Sequence, residues 1–184
     1  ISSLVDGTKE RLLYDILKLS TCQNRLQTFI LRLYPQLNNR GGFGSQDGGF
    51  VSRSSILSSS VIQKFSQNLL HLKGLKSLIL SWESVNVSKA DIQAFYSVIS
   101  QVNSLEAINI KITNEEYDHR ARRFIPNLED EANRLRLLMP LANLRDLTLH
   151  TRGDTFKNEF APVYECLSKF KLSALRIHAE FGSQ

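Results

Sequence analysis

The sequence holds few cysteines and no long apolar run, and both shortages limit what the chain can be. Its two cysteines, Cys22 and Cys166, are too few and too far apart for a disulfide framework or a zinc site. Each lies beside apolar residues in a segment with helical spacing, so we expect buried, reduced thiols and an intracellular protein, cytoplasmic or nuclear. No apolar run reaches about 18 residues, so the sequence predicts no membrane-spanning helix.

Motifs of common catalytic sites are also absent. The segment Gly41-Gly42-Phe43-Gly44 lacks both the lysine that follows in a phosphate-binding loop and the strand that precedes one. The zinc-protease, paired-cysteine and serine-hydrolase motifs do not occur, and no spacing links the serines, histidines and aspartates into a triad. We therefore expect a protein that is not an enzyme and that holds no cofactor or metal ion.

Hydrophobic residues make up 42% of the 184 residues, which suffices for a sizeable core. The chain carries 23 basic and 18 acidic residues, and the resulting net charge of +5 modestly favours acidic partners such as nucleic acid, anionic lipid or an acidic protein. Because the two signs are interspersed, an ordinary mixed and solvated surface is the alternative interpretation.

Composition and periodicity divide the chain into three parts. Residues 1–38 are predicted to form an N-terminal helical segment that ends near Pro35. Its second helix is predicted from apolar residues at near-helical spacing: Leu26, Phe29, Ile30, Leu33 and Leu37. Residues 39–54 are rich in glycine and are predicted to be a linker. Residues 55–181 form the third part, which is regular.

Four strand-like runs in residues 55–181 share one pattern. Each has a leucine, two variable residues, a leucine or isoleucine, one variable residue and a final leucine or isoleucine. The apolar trios are Leu75/Leu78/Leu80, Leu105/Ile108/Ile110, Leu144/Leu147/Leu149 and Leu172/Leu175/Ile177. Helical segments separate the runs, and a spacing of about 30 residues fits one strand and one helix per repeat. The longest interval includes a polar insert, residues 114–123.

The arrangement resembles the leucine-rich repeat family, of the long-repeat, ribonuclease-inhibitor-like type. The resemblance implies a short α/β solenoid of four parallel strands with convex helices, capped by the N-terminal helical segment. The Asn or Cys that the family places three residues after the last strand leucine is replaced here, which indicates a diverged array. The replacing residues are Glu83, Thr113, Arg152 and Glu180. An open α/β sheet with right-handed crossovers has the same alternation and is the alternative fold.

If the leucine trios face the core, alternate strand residues face the concave surface. In resembling proteins this surface contacts the partner. The predicted contacts are Ser77, Ile79, Ser81, Asn109, Lys111, Asp146, Thr148, His150, Arg176 and His178. His150 and His178 take the same position on successive strands, so their side chains are expected about 5 Å apart. No third ligand joins them, which favours two surface histidines over a metal site.

The densest basic cluster lies in the polar insert, and two more arginines follow on the next helix. These residues are predicted nucleic-acid contacts: Arg120, Arg122, Arg123, Arg134 and Arg136. The alternative is a solvated helix whose arginines pair with nearby carboxylates. Residues 114–139 are predicted to contain one or two helices that divide at Pro126. Trp82, after the first strand, is either an exposed anchor or packed against the next helix.

These features predict a non-catalytic protein-interaction scaffold or an adaptor subunit of a larger assembly, which binds a protein partner through the concave face. One alternative is an RNA-associated subunit of a ribonucleoprotein that uses the basic insert. Another is a substrate receptor of the ubiquitin system, because many such receptors join an N-terminal helical module to leucine-rich repeats.

Overall fold

The structure is a computed structural model that describes residues 26–33, 55–56, 59–82, 85–112, 116–118, 123–125, 128–152 and 160–180. The strands are β1 (Thr28–Leu33), β2 (Ser55–Ile56), β3 (Ser77–Trp82), β4 (Val85–Asn86), β5 (Ala107–Ile112), β6 (Glu116–Asp118), β7 (Arg123–Ile125), β8 (Asp146–Arg152) and β9 (Ala174–Glu180). The helices are α1 (Ser59–Leu70), α2 (Lys89–Ile99), α3 (Leu128–Leu138) and α4 (Ala161–Leu167). None of these helices is long and apolar enough to cross a membrane.

Five strands form one parallel sheet in the order β1-β3-β5-β8-β9, which is also their order along the chain. A helix lies in each connection between consecutive strands of this sheet. The register is regular: Ala107 of β5 lies opposite Ser77 of β3 and Asp146 of β8, and Asp146 lies opposite Ala174 of β9. All four predicted strand runs are therefore strands, and the mixed α/β class with alternating strands and helices is confirmed.

One hydrogen-bond arrangement recurs at the start of the strands. The carbonyl oxygen of Gln27, just before β1, accepts the N–H groups of Lys76 and Ser77 at 2.8 and 2.9 Å. The carbonyls of Lys76, Glu106 and Arg145 accept the corresponding pair of N–H groups from the next unit in the same way. Each unit is thus joined to the following one by the same backbone geometry.

The core lies between the helices and one face of the sheet. Along β3 the buried residues are Leu78, Leu80 and Trp82, and the residues between them are partly exposed. Each helix packs against the next one in sequence, and the buried side chains of helices and strands form a single cluster. Full burial of one such leucine or isoleucine contributes about 2 kcal/mol, so the strand pattern accounts for much of the stability.

Trp82 belongs to this core, so of its two interpretations the packed one is correct. Its side chain is 2% exposed. Its ring centroid lies 5.1 Å from that of Phe95 on α2 and 6.0 Å from that of Phe65 on α1. Phe65 also contacts Phe29 of β1, with centroids 5.9 Å apart. The aromatic cluster therefore joins the first two helices to β1 and β3.

Residues 28–33 form strand β1, so the helix predicted there is wrong, and the sheet has five strands instead of four. Phe29 is 6% exposed in the core, whereas Ile30 is 54% exposed on the other face. Adjacent apolar residues suggest a helix face, but pairing with β3 turns them to opposite sides of the sheet. The rest of the predicted N-terminal helical segment, residues 1–25 and 34–38, and the predicted linker, residues 39–54, lie outside the described residues.

The insert also differs from its prediction. Strands β6 and β7 pair antiparallel, with Tyr117 opposite Phe124, where a helix was expected. Tyrosine, phenylalanine and isoleucine favour extended backbone, and this preference prevails in a segment whose polar residues show no helical periodicity. The helix expected after the insert is confirmed as α3. Pro126 and Asn127 lie outside the described part of the chain.

The N-terminus of α2 carries a side-chain cap at Ser88. The Ser88 hydroxyl oxygen accepts the N–H of Asp91 at 3.1 Å, and the hydroxyl donates to the Asp91 carboxylate at 2.6 Å. The hydroxyl of Ser59, at the start of α1, donates to the same carboxylate at 2.8 Å. One carboxylate therefore stabilises the N-terminus of α2 and ties it to α1.

Candidate binding face

The face of the sheet that points away from the helices is called the open face below, and its side chains form three rows across the strands. The first row is Thr28, Ser77, Ala107, Asp146 and Ala174. The second row is Ile30, Ile79, Asn109, Thr148 and Arg176. The third row is Arg32, Ser81, Lys111, His150 and His178. Lys111 and His150 lie two residues beyond the last hydrogen-bonded pair of β5 and β8, and their position along the strands places them in this row. All ten residues predicted for the concave face lie in these rows.

Two histidines stack at one end of the third row. The ring centroids of His150 and His178 are 5.0 Å apart, and the ring planes differ by 12°. The expected separation is confirmed. A ring nitrogen of His150, Nε2, lies 2.8 Å from the amide oxygen of Asn109. Since that oxygen only accepts, Nε2 carries the proton and donates, which orients the ring. Among the described residues, no group of three or more His, Cys, Asp or Glu is placed to hold a metal ion.

Asp146, the acidic residue among the described side chains of the open face, is paired. The guanidinium of Arg176 lies 3.0 Å from the carboxylate of Asp146 on the neighbouring strand. Their side chains are 58% and 38% exposed, so both groups remain accessible to a partner. Thr148, beside them, is only 6% exposed and is screened by its neighbours, so it supports the face without offering a contact.

The open face changes character from one edge to the other. At the β1 edge, Ile30 is exposed and lies next to Ile79 of β3. Toward β9 the third row carries Lys111 and the histidine pair, and Arg176 lies in the second row. No described side chain of the third row is a carboxylate. The face therefore offers an apolar patch at one edge and cationic or hydrogen-bonding groups across the rest.

Of the arginines predicted as nucleic-acid contacts, Arg134 and Arg136 have described side chains, and neither lies on this face. Arg134 pairs with Glu131 at 3.0 Å and Arg136 with Glu129 at 2.8 Å, both along α3 on the helix side of the sheet. Burial raises the pKa of the Glu131 carboxyl, and the nearby Arg134 guanidinium lowers it by less. The described arginines thus pair with carboxylates, as the alternative interpretation expected. Arg120, Arg122 and the side chain of Arg123 lie outside the described residues.

Sequence reasoning missed the contribution of β1 to the open face. Thr28, Ile30 and Arg32 extend the three rows by one strand. The segment Leu26-Gln27-Thr28-Phe29-Ile30-Leu31 carries the pattern of the other strands with phenylalanine in the middle apolar position. This match is the sequence feature from which strand β1 could have been predicted.

Polar side chains also join successive units. The Ser104 hydroxyl donates to the carbonyl of Leu75 at 2.7 Å, and the Asn143 amide donates to the carbonyl of Asn103 at 2.8 Å. Both residues lie directly before a strand-start leucine. The side chains of Glu83, Thr113, Arg152 and Glu180, where the family has its own polar ladder, lie outside the described residues.

The geometry offers hydrogen-bond donors, cations and an apolar patch on one surface. Groups of these kinds can bind another molecule by charge, hydrogen bonds and apolar contact. Compared with family models, with curated proteins and with solved structures, the chain matches none.

Proposed function

We propose that this chain is a non-catalytic protein-interaction scaffold, an adaptor or subunit of a larger assembly, which binds a protein partner through the open face. One observation carries the proposal: five parallel strands in chain order present three rows of side chains, while their other face is filled by the helices. A leucine-rich-repeat-like organisation is part of the proposal. The recurrent strand starts support it, because stacked repeats join neighbour to neighbour.

The size and rigidity of the open face fit this role. Five strands at about 4.8 Å spacing span roughly 20 Å, which is long enough for several residues of an extended partner segment to cross the rows. The backbone positions of the rows are held by the sheet before any partner arrives. A prepared surface loses little conformational entropy on binding, and this favours affinity.

Substitution at the centre of the open face tests the proposal. Asn109→Arg places a long cation in the middle row, and Gln93→Arg places the same side chain on the exposed surface of α2. Tagged wild type and both variants are used for affinity capture, with partners quantified by mass spectrometry and folding checked by circular dichroism. We expect partners of the wild type to be retained by Gln93→Arg and lost by Asn109→Arg. Equal recovery by both variants would contradict binding through this face.

The RNA alternative gains no support from α3, where Arg134 and Arg136 pair with carboxylates. No described feature favours a ubiquitin-system receptor over a scaffold of another kind. The scaffold is therefore the single function proposed for the chain.

A further inference from the structure

We infer that the partner segment received by the open face is an acidic stretch of protein in extended conformation, with one bulky aliphatic residue near its acidic residues. This inference rests on the proposed function and specifies the chemistry of the partner. Three features of the open face support it: the charge of the third row, the apolar patch at the β1 edge, and the distance between this patch and the basic side chains.

The charge of the face complements an acidic segment. Arg32, Lys111 and the two histidines lie in the third row, and Arg176 lies beside them in the second. Asp146 is the one carboxylate among the described side chains of the open face, and it is bonded to Arg176. An acidic partner therefore meets the cations Arg32 and Lys111 and the hydrogen-bonding histidines along the row, and the interaction favours carboxylates over positively charged segments.

The apolar patch calls for an aliphatic side chain. Ile30 keeps 54% of its side chain exposed, and Ile79 lies directly opposite it on β3. Two neighbouring isoleucines on a polar face form a shallow site that a leucine, isoleucine or methionine covers. Removing this apolar surface from water adds binding energy that the exposed charges alone do not supply.

The spacing sets the pattern of the segment. From the middle of the Ile30–Ile79 patch, the basic positions on β5 to β9 lie roughly 7 to 17 Å away across strands spaced about 4.8 Å apart. An extended chain advances about 3.4 Å per residue, so the acidic residues fall about two to five positions from the aliphatic one.

A protein segment fits this face better than single-stranded RNA does. Proteins that hold single-stranded nucleic acid stack its bases on aromatic side chains. Apart from the two histidines, the described side chains of the open face include no aromatic ring. The patch beside the cations is branched and aliphatic, and such a surface offers a base no plane for stacking.

The test uses the full chain and an array of short peptides in which one leucine and several glutamates are permuted in position. Fluorescently labelled copies of the strongest binder, of its Leu→Ser and Glu→Gln versions, and of an oligouridylate of equal charge are then compared by anisotropy. We expect the peptide to bind, with a loss of at least about tenfold when the glutamates are neutralised and about fivefold when the leucine is removed. Affinity should fall as salt rises.

Matched protein variants locate the binding. Lys111→Glu and Ile30→Ser should each weaken the peptide by a similar factor. Lys73→Glu makes the same charge change in an exposed turn, and Tyr164→Ser removes an equally exposed ring from α4. Both controls should bind as the wild type does.

The outcomes separate the inference from the proposed function. Preferential binding of oligouridylate, or a peptide affinity indifferent to the leucine and the glutamates, overturns the inference. If no array peptide binds while Asn109→Arg still abolishes partner capture, the scaffold stands and the acidic segment is wrong. If Asn109→Arg leaves capture unchanged, both fail.

Discussion

Strands β8 and β9 carry the same pattern in the same register, yet their core-facing side chains differ sharply in exposure. Leu147 and Leu149 of β8 are 1% and 7% exposed, whereas their partners Leu175 and Ile177 of β9 are 42% and 37% exposed. A helix precedes and another follows β8, but among the described elements only α4 adjoins β9. The pattern thus decides which way a side chain points, and neighbours on both sides decide whether it is buried.

Helices α2 and α4 differ in length and in capping, and the helix next to β9 again has fewer supporting contacts. Helix α2 has 11 residues, a side-chain cap at Ser88 and helices on both sides. Helix α4 has seven residues and follows Phe160, which makes no side-chain capping bond. The terminal unit is therefore built with fewer of the local interactions that hold the central units.

The largest expected effect separates β8 from β9. Leu147→Ala should lower the free energy of unfolding by about 3 kcal/mol, because it opens a cavity in a filled core. Leu175→Ala should cost only about 1 kcal/mol, since Leu175 is already 42% exposed. Chemical denaturation of both variants measures the difference. Equal losses would mean that β9 is covered in solution.

A pH titration of stability sharpens the contrast between the interior of the helix layer and its end. Burial raises the pKa of Glu131, so its ionised form is disfavoured in the folded state. The resulting loss of folding stability is absent when the pH is below the unfolded-state pKa of Glu131. It grows as the pH rises from there through the folded-state pKa. Each unit of such a shift is worth about 1.4 kcal/mol. The stability of the wild type relative to Glu131→Gln should therefore fall as pH rises from acid to neutral.

The matched control is Glu165→Gln on α4, where the carboxylate is 70% exposed. Thermal or denaturant unfolding of the wild type and both variants across this pH range supplies the data. An equal trend for both variants would show that burial at Glu131 is not the cause.

The cap of α2 gives the next effect. Ser88→Ala removes the acceptor for the Asp91 N–H and should destabilise the protein by about 1 kcal/mol. Ser97→Ala, at an exposed position inside the same helix, should be neutral or slightly stabilising because alanine favours helix. Denaturation midpoints decide between them, and a loss at Ser97 equal to that at Ser88 would argue against the cap.

The smallest expected effect concerns two exposed ion pairs, and it should be the same in the central units and at β9. The pair Lys76–Glu106 adjoins β3 and β5, and the pair Asp146–Arg176 joins β8 to β9, both with exposed side chains. Double-mutant cycles should give each pair a coupling energy of about 0.5 kcal/mol or less, falling with added salt. A much larger coupling at β9 would show that the terminal unit relies on its ion pair.

Much of the fold was predictable because strand leucines and helix faces are local patterns. The four strand runs followed from spacing alone. Strand β1 was missed because the adjacent apolar residues Phe29 and Ile30 suggested a helix face, although the segment from Leu26 to Leu31 matches the strand pattern with phenylalanine in the middle position. The β6–β7 pair was missed because its segments are only three residues long each.

The candidate site was predictable to the same degree. Alternation along each strand placed the ten residues on one face, and the histidine separation followed from strand spacing. The bond from His150 to Asn109 and the pairing of Arg176 with Asp146 were not predictable, because each depends on side-chain conformations in two units that the sequence separates by 30 residues or more.

The recurrent join at the strand starts has a consequence for how this chain tolerates change. The carbonyl of Glu106 accepts the N–H groups of Arg145 and Asp146 just as the carbonyl of Lys76 accepts those of Glu106 and Ala107. This holds although the β6–β7 hairpin lies between Glu106 and Arg145. Because the join sits before each strand, extra residues after a strand leave the register intact. Lengthening a unit therefore adds surface on the rim without rebuilding the sheet, and such an array can acquire new contacts by insertion alone.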